Sequence, residues 1–160
     1  ALGMRGSNPL LAVGLNPSTA DDSKPDQSIS KLMGFAERNG YDGFIMLNLY
    51  PQRTPYPNRL HQRRQAALHA ENMRVVQGIL NQYPNVQLLA AWGSIIHHRT
   101  WLPNCLRQLN ELCGNTGLNW IQIGNGTAAG HPRHPSRASY NLTLNPFDIE
   151  AYLATLGHWD

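Results

Sequence analysis

Four short apolar runs, each ending in a polar cluster, constrain this chain more than any other feature. Leu10-Leu11-Ala12-Val13-Gly14 leads into Asn16-Pro17-Ser18. Phe44-Ile45-Met46-Leu47 leads into Asn48. The run from Val86 to Ala91 leads into Trp92-Gly93-Ser94. Trp120 to Ile123 leads, through a glycine-rich stretch, into His131-Pro132-Arg133-His134-Pro135-Ser136. Brief apolar runs bounded by turn residues suit fully buried strands. If the four are parallel, their polar clusters all fall at one edge of one sheet. That is the edge at which open α/β sheets bind ligands.

The segments between the runs carry helical spacing. Ile29, Leu32, Met33 and Ala36 repeat at i, i+3, i+4 and i+7, so a helix is expected over Ser28 to Asn39. Ser28 is placed to cap it, and Gly40 to end it in the left-handed conformation. A second strand is expected over Gly43 to Leu49. Pro51, Pro55 and Pro57 then impose an irregular loop. A second helix is expected from about Leu60 to Gln82, with Met73, Val76, Ile79 and Leu80 inward. A third is expected from about Pro103 to Cys113, with Leu102, Leu106, Leu109 and Cys113 in register. Residues 124–144 lack periodicity and read as one long loop, a length that is usually functional or disordered. The last helix is expected to start with Asn145 as cap and Pro146 at its first position. Its inner face is Ile149, Tyr152, Leu153 and Leu156. Alternation of this kind implies a three-layer α/β/α sandwich around a four-stranded parallel sheet.

At 160 residues the chain suits a single domain over 1–160, with a core over about 10–156. Residues 1–8 resemble neither strand nor helix. The net charge of +3 permits a nucleic-acid partner without requiring one. Cys105 and Cys113 are too few for a disulfide framework. They are expected to pack as small apolar residues in a reducing, cytoplasmic compartment. No apolar stretch approaches the ~18 residues that span a membrane, and no leader segment is visible.

Each cluster has a plain reading beside a chemical one. Gly14 can admit a ligand close to the backbone, and Asn16 offers donors and an acceptor at a strand end. Asn-Pro and Ser-Thr are also ordinary turn chemistry. Asn48 interrupts an apolar run, so it either satisfies loop backbone or directs its amide into a pocket, where it could read a nucleobase edge. Trp92 suits the core, and Gly93 a tight turn. Adjacent His97 and His98 point apart, and no acid or thiol completes a set, so no metal site is expected. No cofactor is expected either. His131 and His134 can donate to a developing negative charge or exchange protons. Arg133 and Arg137 can hold phosphate. Asp21, Asp22 and Asp26 can each act as a base near Asn16, although Asp22 suits a helix cap better. Arg53, Arg59, Arg63 and Arg64, beside Tyr50 and Tyr56, suit either a phosphate backbone with unstacked bases or a solvated helix start.

Two resemblances follow from these residues. The strings LNPSTAD, FAERNGYDGFIMLNLY, AWG and PRHP together resemble the DUF1643 family of bacterial and phage proteins, which has no assigned activity. The ordered set GLNPS, MLNLYPQRT, LLAAWGS and HPS is similar, more distantly, to the uracil-DNA glycosylase superfamily. That resemblance implies a glycosylase-like fold. It implies that Asn16 positions a water, Asn48 reads a flipped base and His134 stabilises the leaving base. Ser136 and its backbone would hold phosphate, and Gly14, Pro17, Ser18, Gly93, Ser94, His131, Arg133 and Arg137 would border the substrate. His131 could take the place of His134 in register. The chain departs from the pattern in having no aromatic between Ser18 and Ser28 to stack on a base. Arg137 also follows Ser136 where the pattern continues toward a proline.

The expected function is therefore a glycosylase-like protein acting on a nucleobase in DNA or a nucleotide. The rival is a non-catalytic nucleic-acid or nucleotide-binding module on the same fold. A third option is another hydrolase using Asp21 or His134.

Overall fold

The computed structural model describes residues 7–15, 27–51, 62–84, 87–114 and 119–156. Within them the chain forms a mixed five-stranded sheet and four α-helices. Strand β1, Leu10–Gly14, is buried at every residue. It pairs in parallel with β2, Phe44–Asn48, on one side and with β3, Leu88–Ala90, on the other. Strand β4, Trp120–Ile123, continues the parallel set beside β3. Near-continuous apolar sequence is what such strands require, because helices cover both sheet faces.

The pleat divides the core. Leu11 and Val13 of β1 face a cluster with α2 (Ala66–Gln82), α3 (Leu102–Gly114) and α4 (Ile149–Leu156). Leu10 and Ala12 face the opposite cluster with Leu32, Phe35 and Ala36 of α1 (Gln27–Arg38). On that side α1 has no helical companion in the cluster. Ala138, Tyr140 and Leu142, from the long segment after β4, fill the place beside it.

The expected inner faces of the helices pack inward as read, with Ile29, Met33 and Met73 only partly buried. Gly40 closes α1 at φ 83°, with Tyr41 N–H donating to Ala36 O at 3.0 Å and Gly40 N–H to Glu37 O at 3.4 Å. These are the paired bonds of a left-handed helix cap. Ser28 is not the residue before the helix, because α1 already includes Gln27. The helix expected from about Leu60 starts later, at Ala66, because described residues 62–65 are not helical and Gln65 is extended. Leu60 itself lies outside the described residues, as does Val86 at the expected start of β3.

Two expectations are corrected. The sheet is not purely four parallel strands, because Leu144–Pro146 form a fifth, β5, antiparallel to β4. Three residues ending in proline give no strand signal, and proline is tolerated there because β5 ends the sheet order. Asn145 is therefore not a helix cap. Its Nδ2 donates to Gly124 O at 2.9 Å and Asn125 Oδ1 at 3.0 Å, closing the base of the excursion between β4 and β5. The cap of α4 is Asp148, whose Oδ1 accepts from Ala151 N–H at 3.0 Å.

Removing that cap should cost ~1 kcal/mol of stability, the usual value for an Asp at this position. Urea unfolding of Asp148→Ala measures it. Amide exchange at Ala151 should rise in Asp148→Ala and stay unchanged in Asn145→Ala. The reverse pattern would return the capping role to Asn145.

Candidate functional site

Because β2, β1, β3 and β4 run parallel, their C-terminal ends share one edge. Gly14 and Asn48 are register partners there, and Leu49 N–H donates to Gly14 O at 2.8 Å. Ala91 N–H donates to Val13 O at 2.9 Å on the other side. Three chain segments therefore leave the sheet side by side. A Cβ at Gly14 would lie 3.3 Å from Met46 Sδ and 3.7 Å from Ala91 O, so the absent side chain lets the neighbouring ends close in.

Asn48 is half-buried, and its backbone oxygen accepts from Asn72 Nδ2 at 2.6 Å. Its side-chain Oδ1 is buried and has no hydrogen-bond partner among the described residues. Leaving such an acceptor unpaired costs about 1–3 kcal/mol. Among the described residues no loop backbone group satisfies its amide oxygen.

His134 reaches the same edge from the far end of the chain. Gly93 sits at φ 60°, and a Cβ there would lie 3.2 Å from His134 Cβ and 3.7 Å from His134 N. Glycine is thus required twice at this position, for its conformation and for the close approach. His134 precedes a single 3₁₀ turn, Pro135–Arg137, and its Nδ1 accepts from Ser136 N–H at 3.2 Å. Ser136 Oγ lies 2.9 Å from the same nitrogen. With Nδ1 accepting, the neutral ring carries its proton on Nε2 and acts there as a donor. Ser136 thus holds the imidazole through both its backbone N–H and its hydroxyl.

His131 has a different role. It is 6 % exposed and ends a buried chain of hydrogen bonds. Trp92 Nε1 donates to Tyr152 Oη at 3.0 Å, and His131 Nδ1 lies 2.8 Å from that oxygen. Burial raises the Tyr152 phenol to about 12, against a smaller lowering by the Trp92 bond, so it keeps its proton. An indole can only donate, so the phenol proton is left for His131 Nδ1. His131 Nε2–H then points to His97 Nε2, 3.0 Å away. Burial, with the His97 charge adding to it, holds His131 below the usual histidine range. His131 is accordingly a buried group within a hydrogen-bonded chain, whereas His134 is half-buried at the sheet edge. His97, expected to be incidental, is its partner. Among the described residues no three His, Cys, Asp or Glu side chains gather as metal ligands.

The segment carrying both histidines is clamped to α1. The Tyr140 ring lies 5.0 Å from that of Phe35, with Lys31 Nζ 4.0 Å and Arg38 Cζ 3.7 Å from its centroid. Lys31 Nζ also donates to Ala138 O at 2.8 Å. A Cβ on Gly34 would overlap the Tyr140 ring, which accounts for a glycine in mid-helix.

The remaining candidates divide. Ser94 and Arg137 are exposed, and Arg133 is half-buried with its Nε lacking a partner. Tyr50 cannot stack on a base: it is fully buried against Trp101, with ring centroids 4.6 Å apart. Cys105 and Cys113 are buried in α3, and burial pushes both thiols up to about 12, so they pack as apolar groups. Asn16, Pro17, Ser18 and Asp21 lie outside the described residues, as do Asp22, Asp26, Arg53, Tyr56 and Arg59. Sequence reading missed His69, which is 5 % exposed and hydrogen-bonded to Gln108. No periodic signal marks it, because it falls on the inner face of α2 among aliphatic positions.

A family model described as a protein of unknown function (DUF1643) matches residues 3–136. No curated protein and no solved structure matches the chain. No helix among the described residues is long and apolar enough to cross a membrane.

His131 and His69 both titrate below 6.5 in the folded chain, chiefly through burial. Above that pH both are neutral whether folded or unfolded. As pH falls from 6.5, the unfolded chain takes up these protons first, so stability is lost down to the folded pKa values. Urea unfolding between about pH 5.5 and 7.5 should show this slope. His131→Gln should flatten part of it, whatever its effect on absolute stability. An unchanged slope in both His131→Gln and His69→Gln would refute the assignment.

Proposed function

We propose a function from the site itself, since the chain belongs to the DUF1643 family, described as proteins of unknown function. The reading is an N-glycosyl hydrolase of the uracil-DNA glycosylase type, acting on a nucleobase in DNA or in a nucleotide. The fold is then a variant of that superfamily's. The observation that carries the reading is the unpartnered Oδ1 of Asn48 on the sheet edge that also receives His134. One group accepts and the other, through Nε2, donates. Asn48 ends β2, and His134 lies against Gly93, just past β3; β2 and β3 lie on either side of β1. Two strand spacings amount to roughly 10 Å, room for one heterocycle with a hydrogen bond at each end.

The chemistry follows from that polarity. Water attacks the sugar carbon, the carbon–nitrogen bond breaks, and its electron pair leaves with the base. His134 Nε2–H donates to the negative charge that forms. Asn48 Oδ1 accepts from an N–H on the base edge and so selects the base. By the resemblance, Asn16 holds the water, and Asp21 is the carboxylate that can take its proton. Ser136 and Tyr140 act one step back, setting the histidine's tautomer and seating its loop.

One observation favours the rival, a module that binds nucleic acid or nucleotide without cleaving it. No aromatic lies between Ser18 and Ser28, and Tyr50 and Trp92 at the strand ends are fully buried. A flipped base without a stacking partner is held less firmly.

Base release from duplex and single-stranded oligonucleotides, carrying uracil, hypoxanthine or a mismatch, tests the proposal. His134→Ala should slow release by roughly 10²–10³, as loss of one preorganised donor does. Asn48→Ala should weaken release and blur base choice. Gly93→Ala, which pushes against His134, should impair release more than it impairs folding. If the wild-type protein binds these oligonucleotides and releases no base from any, the binding module replaces the enzyme.

A further inference from the structure

A second concave site lies away from the histidines, between the N-terminal ends of α2 and α3. It is a cavity of about 680 Å³. That is within the range of small-molecule sites, roughly 300–1,000 Å³. Arg63 and Arg64, just before α2, and Arg107 on α3 line it against one acid, Glu111. The wall therefore carries a net charge of +2 from three arginines and one glutamate.

The neutral groups of the wall are biased the same way. Asn104 Oδ1 accepts from Arg107 Nη1 at 3.0 Å. Gln108 Oε1 faces the Nε2 of buried His69. Both side-chain amides thus turn their oxygen to a neighbour within the protein, which leaves the Gln108 amide N–H facing the cavity side. Arg107 is also braced by Leu153 O, which accepts from its Nη2 at 3.2 Å. Its planar group is held in place, so little rotamer freedom is lost on binding. Trp101 lines the cavity as well, fixed by its Nε1 donating to Gln62 O at 3.1 Å and by its packing on Tyr50. A rigid wall rich in donors and positive in charge suits a doubly charged oxyanion.

We propose that this cavity is a binding site for phosphate groups, distinct from the site at the strand ends and independent of the glycosidic reading. The phosphates belong either to a free nucleotide-sized molecule or to a nucleic-acid backbone, and the two differ in how they bind. Titration calorimetry at low salt with pyrophosphate, a deoxynucleoside diphosphate and a single-stranded oligothymidylate separates them. Arg63→Gln and Arg64→Gln should each weaken binding of the responding probe by roughly tenfold or more, as loss of a charged hydrogen bond does. His134→Ala should leave that binding unchanged. Arg63 is exposed, so its variant keeps the test valid if Arg64→Gln or Arg107→Gln fails to fold. Binding of the diphosphates assigns a small ligand. Binding of the oligonucleotide alone, with a salt dependence that shrinks in each arginine variant, assigns the backbone. No binding by any probe, or binding insensitive to Arg63 and Arg64, overturns the proposal.

Discussion

The architecture depends on one strand being hydrogen-bonded along both sides. β1 pairs with β2 and β3 in parallel, and every one of its residues is buried. Parallel pairing forces each strand to be followed by a crossover, and the crossovers supply the helices. It also forces the polar residues that follow the strands to emerge together. Gly14, Asn48 and Gly93 come from separate stretches of sequence, yet one ladder brings their strand ends into line. The position of the candidate site is thus a consequence of hydrogen-bond register.

That logic explains which parts of the molecule could be read from the sequence. Leu10–Gly14, Trp120–Ile123 and the inner faces of the helices are marked by apolar patterning, because packing against two faces leaves no polar alternative. β5 is not marked. It contributes three residues to the end of the sheet, one of them a proline, and its pairing is set by β4 instead of by its own side chains. The capping role expected of Asn145 passes to Asp148 for the same reason. Both suit a helix start, and only the presence of β5 decides that Asn145 is already engaged.

The site was legible in its parts and not in its connections. Motif order pointed to Asn48, Gly93 and His134, and the structure brings Gly93 against His134. Nothing in the sequence distinguishes His131 from His134, two histidines each followed or preceded by proline. The distinction lies in partners far along the chain: Tyr152 and His97 for one, Gly93 and Ser136 for the other. The arginine-lined cavity was equally hidden. Arg107 is outside the apolar spacing that marks α3, and only the folded structure shows Asn104 and Leu153 bracing it.

The clamp between α1 and Tyr140 bears on the order in which the protein assembles. The Lys31–Ala138 bond joins residues 107 apart in the chain, whereas the β1–β2 ladder joins neighbours around a single helix. Closing the longer loop costs more chain entropy, and contacts of such separation slow folding. The histidine-bearing segment also takes the place of a second helix over one sheet face, so its docking completes that core. Docking of this segment thus both completes that core and brings His134 to the sheet edge. The position of His134 at this edge is thereby tied to the packing of α1 against Tyr140 and Ala138, and not to the strand ladder alone.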